Sequence, residues 1–321
     1  MPYWDIIGRA FRISWQHKYL WLIAFFSGES AGSFGSNYNY NFSQGQSGTI
    51  GARRTPDLGA VQSQVSAWVH DNLGLLATVA VLWLLLVIGF FIFGAACEGA
   101  TVRASAEHDA ERPFDLSSAW QAGVARMWVI VRFRLLLFAL ALPAVLLVGV
   151  LVFATVFSAI GGHSAVAVIS GLLAALVILL SIPYFIYLSF LDRFGSRAAV
   201  LDLVGARASL ARAHHLLFKR LGRSLLVWLL SIAIGIGTGI VVGVVGAILV
   251  IPLLALIYLA ASGGVSWIWV VLLGLVAIPF LLVAGAFLSA LMSTYWTLAF
   301  RRLDVEYPPA YAYPPQPAPQ P

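Results

Sequence analysis

The chain is 321 residues long, 61% hydrophobic and only 10% charged, whereas a soluble domain carries about 25% charged residues. So few charges cannot clothe a core of this size in water, which excludes a soluble fold and marks an integral membrane protein. The net charge of +6 then reads as attraction of loops to anionic head groups rather than to nucleic acid, and the single Cys97 excludes an internal disulfide or a multi-cysteine metal site.

In chain order, Trp4 to Phe26 is an amphipathic stretch running into an apolar one. Arg9, Arg12, His17 and Lys18 keep Ile6 to Phe26 from spanning as one helix, because a mid-bilayer Arg or Lys costs about 2.5 to 3.5 kcal/mol and a Leu, Ile or Phe returns only about 0.3 to 0.6. A crossing is therefore expected only from about Trp15 onward. The run Tyr19 to Phe26 is short, follows a long region containing Asp5 and precedes no clear cleavage site, so it makes a poor secretory signal. Residues 28–70 are expected to be an external polar loop, with SNYNYNFSQGQSG at its centre and a glycosylation-like Asn41-Phe-Ser43. Val61, Val65, Trp68 and Val69 share one helical face, predicting a short surface helix at its end.

Between Asp71 and Glu98 lie 26 uncharged residues, the most secure span. Leu135 to Leu191 are 57 residues without a formal charge and predict a helical hairpin turning at Gly161-Gly162. The next uncharged run, Ser224 to Phe300, has 77 residues broken at Ser262-Gly263-Gly264. Two crossings leave its first helix overlong, with five glycines from Gly235 to Gly246 and then Pro252; a re-entrant piece or a third crossing stays open. The last 18 residues, 304–321, hold seven of the 14 prolines and predict a disordered, polyproline-II-like tail suited to a protein partner's aromatic groove.

Six crossings place 17 of the 19 basic residues on one side, leaving Arg53 and Arg54 on the other. The positive-inside rule then puts both termini in the cytoplasm and the chain in a plasma (inner) membrane. Self-similarity supports the same scheme. Ile88-Gly-Phe-Phe-Ile92 leads to Glu98 and Arg103, and Ile182-Pro-Tyr-Phe-Ile186 leads, 94 residues later, to Asp192 and Arg197. A third copy, Ile278-Pro-Phe-Leu-Leu282, runs down to Arg301-Arg302 without the acid. Amphipathic stretches at Trp4 to Phe26, Ala119 to Leu142 and Ala206 to Ile232 precede the three hairpins. The expected fold is all-α, with six transmembrane helices in residues 1–303 arranged as three repeated hairpins, each preceded by an interfacial amphipathic helix and related about the membrane normal.

The tryptophan-rich segment Trp4-Asp-Ile-Ile-Gly-Arg-Ala-Phe-Arg-Ile-Ser-Trp-Gln-His-Lys-Tyr-Leu-Trp21, followed by a small-residue loop and repeated apolar hairpins, resembles an uncharacterised bacterial multi-pass family. That family is similar to the membrane domain sometimes fused to glycerophosphodiester phosphodiesterases. The resemblance covers residues 3 to 303 and carries no phosphodiesterase activity, since no such catalytic domain fits in the chain.

No phosphate-cradling loop, zinc spacing or nucleophile elbow occurs in the sequence, and no cofactor is expected. His214-His215 point to different helix faces and make a poor metal pair. Glu98 and Asp192 are the most informative acids, because carboxylates at a membrane boundary are costly and recur here twice. With Arg103, Arg132, Arg134, Arg193 and Arg197 they form the candidate functional or head-group contacts. Their bland alternative is a simple reach to the interface. A non-enzymatic scaffold or lipid-interacting module is the leading expectation, with anionic membrane lipids as partners. The alternatives are a transporter or channel for a neutral or amphiphilic solute, lined by Ser289, Ser293, Thr294 and Tyr295, and third an intramembrane lipid-modifying enzyme using Glu98 or Asp192.

Overall fold

A computed structural model describes residues 4–27, 68–162 and 164–304. The amphipathic α1 (Trp4–Gln16) breaks at His17-Lys18 and continues as the apolar α2 (Tyr19–Phe26). Five long helices follow: α3 (Leu73–Asp109), α4 (Leu116–Ile160), α5 (Ser164–Leu201), then, after the short α6 (Ala206–Lys219), α7 (Leu221–Ala261) and α8 (Trp267–Leu303). Each of the five is long and apolar enough to cross a membrane.

The helix count departs from the sequence expectation. Among the described residues there are five such helices rather than six, because the first apolar segment yields only α2, whose eight residues rise about 12 Å against a hydrocarbon core of about 30 Å. Residues 28–67 and 305–321, expected to be external loop and tail, lie outside the described residues, as do Val61 and Val65 of the expected surface helix. The 77-residue run forms two helices long enough to cross: α7 is one unbroken helix of 41 residues, with Pro252 inside it, and the chain turns at Ser262–Gly264 with Gly263 at φ +80°. The other turn falls at Gly161-Gly162, with Gly162 at φ +75°, a backbone region that glycine enters without a Cβ clash. The amphipathic stretch before the α4–α5 hairpin is not a separate helix but the first half of the 45-residue α4, capped by the Asp115 carboxylate accepting from the Ser118 N–H.

The spanning helices run 37 to 45 residues, about 55 to 68 Å, roughly twice what the bilayer core requires. Their two halves live in different surroundings. The most apolar windows are 0 to 6% buried within the chain, whereas the opposite halves pack tightly. Tight packing begins at Gly94 on α3, near Leu188 on α5 and at Ala286 on α8, while on α4 it ends at Phe133. Lipid is as apolar as leucine, so nothing drives bare leucine faces together inside it. In the opposite halves, small residues and aromatic rings bury each other. The core therefore sits at one end of the molecule, where Ile6, Ala10, Leu20 and Ala24 meet Ala100, Ala104, Phe194, Ala213, Val227, Leu291, Trp296 and Phe300.

Two contacts set the helix spacing there. At the α3–α4 crossing Gly99 meets Gly123, and a Cβ added to Gly123 would lie 2.2 Å from the Ala96 carbonyl oxygen and 2.8 Å from the Ala100 nitrogen. Backbone touches backbone at that point. On α5, a Cβ at Gly195 would lie 2.2 Å from the Phe133 ring, which is itself fully buried. Helices α3, α5 and α8 all run toward this packed end, and their Ile-rich motifs, Ile88–Ile92, Ile182–Ile186 and Ile278–Leu282, each precede the packed stretch by a turn or less.

Candidate functional site

The charged residues singled out by the sequence gather where the bare apolar halves meet the packed end. Glu98 of α3 is 3% exposed, and its Oε2 accepts from Arg134 Nη2 of α4 at 2.6 Å. The same nitrogen donates to the Ser27 carbonyl at 3.0 Å, and the guanidinium lies 5.8 Å from the centre of the Phe91 ring. This ties α2, α3 and α4 at one point. Asp192 of α5 lies in the electrostatic field of Glu98, Arg193, Arg134 and Arg197. It is exposed at the foot of a stripe formed with Ile182, Phe185 and Ser189 on the same helix face. Arg193 sits 5.5 Å above the Trp296 ring, and Arg197, 1% exposed, donates to the Arg193 carbonyl at 3.0 Å and the Ser196 hydroxyl at 3.1 Å. Two acids thus share one neighbourhood with three arginines. Guanidinium groups lie beside both carboxylates, and the Glu98–Arg134 pair fixes α3 against α4.

Arg103 and Arg132 stand apart from that cluster. Arg103 turns one helical turn onward to Glu107 at 2.7 Å, the i to i+4 geometry that its five-residue spacing from Glu98 does not offer. Arg132 is exposed beside a groove shared with the start of α6. Ser289, Ser293, Thr294 and Tyr295 are all within the core, at 0 to 1% exposure. Thr294 bridges the hydroxyls of Ser14 and Ser105 at 3.4 and 3.0 Å, Tyr295 donates to the Val227 carbonyl at 2.7 Å, and Ser289 donates to Gly285 of its own helix.

The sequence did not single out a second set of arginines. Arg9 of α1 pairs with Asp109 at the end of α3 and donates to its carbonyl at 2.6 Å. Arg126 of α4 donates to the Leu203 carbonyl just beyond α5 at 3.3 Å. Arg212 of α6 pairs with Asp304 beyond α8 at 2.8 Å, and also with Asp202. Each amphipathic segment thus supplies one cation to the carbonyl end of one helix running toward the packed end, where the helix dipole is negative. Arg301 joins the first of these contacts through Asp109 and the Ala106 carbonyl. A basic residue in every amphipathic segment, 77 to 100 residues ahead of a helix end, was the available signal.

At the α1–α2 break, His17 stacks on His108 of α3, with ring centres 3.6 Å apart and planes 9° from parallel. The Tyr19 hydroxyl is hydrogen-bonded to His108 Nε2. Burial lowers the His17 imidazole from its ordinary value, and burial together with the Asp115 charge pushes the Tyr19 phenol up to about 12. Burial also raises Asp202 to about 6 against the pull of Arg212. On α6 and α5, His214 Nδ1 is hydrogen-bonded to the Tyr187 hydroxyl at 2.7 Å. Among the described residues no three His, Cys, Asp or Glu side chains converge as a metal site would require.

A family model described as "Family of unknown function (DUF7544)" matches residues 12–299, and nothing in that match links the chain to the membrane domain of glycerophosphodiester phosphodiesterases. No curated protein and no solved structure matches.

Proposed function

The chain belongs to DUF7544, a family of unknown function, so its role must come from its own geometry, and we propose that it is a non-enzymatic, lipid-interacting scaffold of the bacterial inner membrane. The carrying observation is the division of its helices: bare apolar halves that only lipid can cover, joined end to end to a packed platform edged with arginine. Among the described residues, Arg12, Arg132, Arg207 and Arg223 are exposed and have no ion-pair partner, unlike the arginines that cap helix ends. Cations left over at this boundary suit anionic head groups, each worth about 1 kcal/mol.

The charge distribution supports a cytoplasmic platform with both termini on that side. The three capping arginines and the common direction of α3, α5 and α8 support three related units, with α2 as the shortened first arm of the first. The burial of Ser289, Ser293, Thr294 and Tyr295 weighs toward a scaffold over a conducting path. The proline-rich tail supplies a docking segment for a protein partner. Native mass spectrometry after extraction in mild detergent tests the lipid role: anionic lipids are expected to stay bound in preference to zwitterionic ones, and equal retention overturns it.

A further inference from the structure

The α5–α6 turn places Leu203 at φ +57°, and Arg126 holds its carbonyl against α4. This brings the first residues of α6 beside α4 at the level where α4 leaves the core. Between them lies a groove of about 670 Å³ lined by Arg132, Leu135, Leu136, Arg207 and the small residues Gly205, Ala206 and Ala208. Phe133, one residue after Arg132, is fully buried, whereas Leu135 is 54% exposed, so the groove straddles the end of the packed platform and the start of the bare apolar surface. Its two arginines come from different helices, and neither has an ion-pair partner among the described residues. The residues between them are too small to fill the space.

We propose that this groove is a specific binding site for one anionic phospholipid, with its phosphate between Arg132 and Arg207 and an acyl chain along Leu135 and Leu136 of α4. The proposal rests on the lipid-interacting reading and deepens it from a diffuse belt to a single site. Charge and polarity select the occupant: a free anion would leave the leucine wall uncovered, and an uncharged amphiphile would leave two cations unmatched.

The test uses the full chain in phosphatidylcholine nanodiscs, titrated with phosphatidylglycerol and counted by native mass spectrometry. At about 1 kcal/mol for each surface arginine, every arginine contributes about fivefold. The Arg132→Gln/Arg207→Gln variant is expected to weaken the tightest phosphatidylglycerol site about 25-fold. Arg12→Gln/Arg223→Gln removes two exposed arginines away from the groove and is expected to leave that site unchanged. All four side chains are exposed, so unaltered thermal melting is expected in both variants. Equal weakening by the two pairs overturns the groove while sparing the belt. Displacement of the lipid by millimolar inorganic phosphate assigns the site to a free anion and overturns the lipid. Absence of any phosphatidylglycerol preference in the parent chain defeats the scaffold reading itself.

Discussion

Gly123→Ala probes the contact on which the platform depends. Its new methyl group would sit 2.2 Å from the Ala96 oxygen, 2.8 Å from the Ala100 nitrogen and 2.9 Å from the Ala100 Cβ. An ordinary contact is about 3.5 to 4.0 Å, so α3 and α4 must part by more than an ångström. All three obstacles belong to or adjoin α3 backbone, so no side-chain rotation relieves them. Overpacking alone costs about 1 to 3 kcal/mol, and separating the helices also loosens Ile130 over Gly99, so about 3 kcal/mol is expected. Cys97 reports on this directly, being the only cysteine, 2% exposed and adjacent to Ala96. Where opening and closing outpace the reagent, labelling follows the open population, and 3 kcal/mol corresponds to about 150-fold faster reaction with a membrane-permeant maleimide. Gly149→Ala, on the same helix with nothing within 4 Å, is the control. Equal labelling of the two variants would refute the α3–α4 backbone contact.

Two further outcomes follow from the charged and titrating groups. Arg134→Gln leaves Glu98 buried opposite a neutral amide and is expected to cost about 3 to 5 kcal/mol, read as a fall in melting temperature in detergent. Glu98→Gln/Arg134→Gln should recover part of that loss, and strict additivity of the two single variants would show that they do not interact. At the α1–α2 break, the folded state prefers neutral His17, whose pKa lies below 6.5. Its contribution is therefore complete above that pH and is lost as pH falls below it, when a charged ring would also face His108. Protection factors of residues 4–27, with the pH dependence of intrinsic exchange divided out, should fall from pH 7.5 to 5, and His17→Gln should flatten the response; an unchanged pH profile in that variant would remove His17 as the cause.

Charge-free length carried most of what the sequence disclosed. It located the spans of α3, α4, α5, α7 and α8, and glycine pairs located both hairpin turns, because a mid-bilayer charge and a tight reversal are each governed by local chemistry. The first segment read differently because Tyr19 to Phe26 is apolar enough to suggest a crossing, while its eight helical residues are too few to span a bilayer core. Glu98 and Asp192 announced a charged neighbourhood through their recurrence. The role of Arg134 as the hub of that neighbourhood was not legible, since nothing local to α4 reveals that the Ser27 carbonyl lies 3.0 Å away. Likewise, Ser289 to Tyr295 look like polar relief in an apolar helix, and only the packing of α8 against α1, α2, α3, α5 and α7 makes them core.

The Ile-rich motif gains a mechanical meaning from its position. Its second residue is Gly89 on α3, Pro183 on α5 and Pro279 on α8. Proline removes an i to i−4 hydrogen bond and glycine weakens helix propensity by about 1 kcal/mol, so all three helices are softest within the last two turns before they enter the platform. Below that point, backbone contacts such as Gly99 to Gly123 and the Glu98–Arg134 pair permit little movement. Above it, the 0 to 6% buried windows touch the rest of the chain mainly along the α4–α5 and α7–α8 hairpins. A bilayer that changes thickness shifts helix tilt at a cost of only fractions of a kcal/mol per ångström, so the arms can follow the lipid while the arginine-edged platform keeps its shape. A rigid cationic face on compliant apolar arms is the mechanical form that the proposed lipid-interacting scaffold would use.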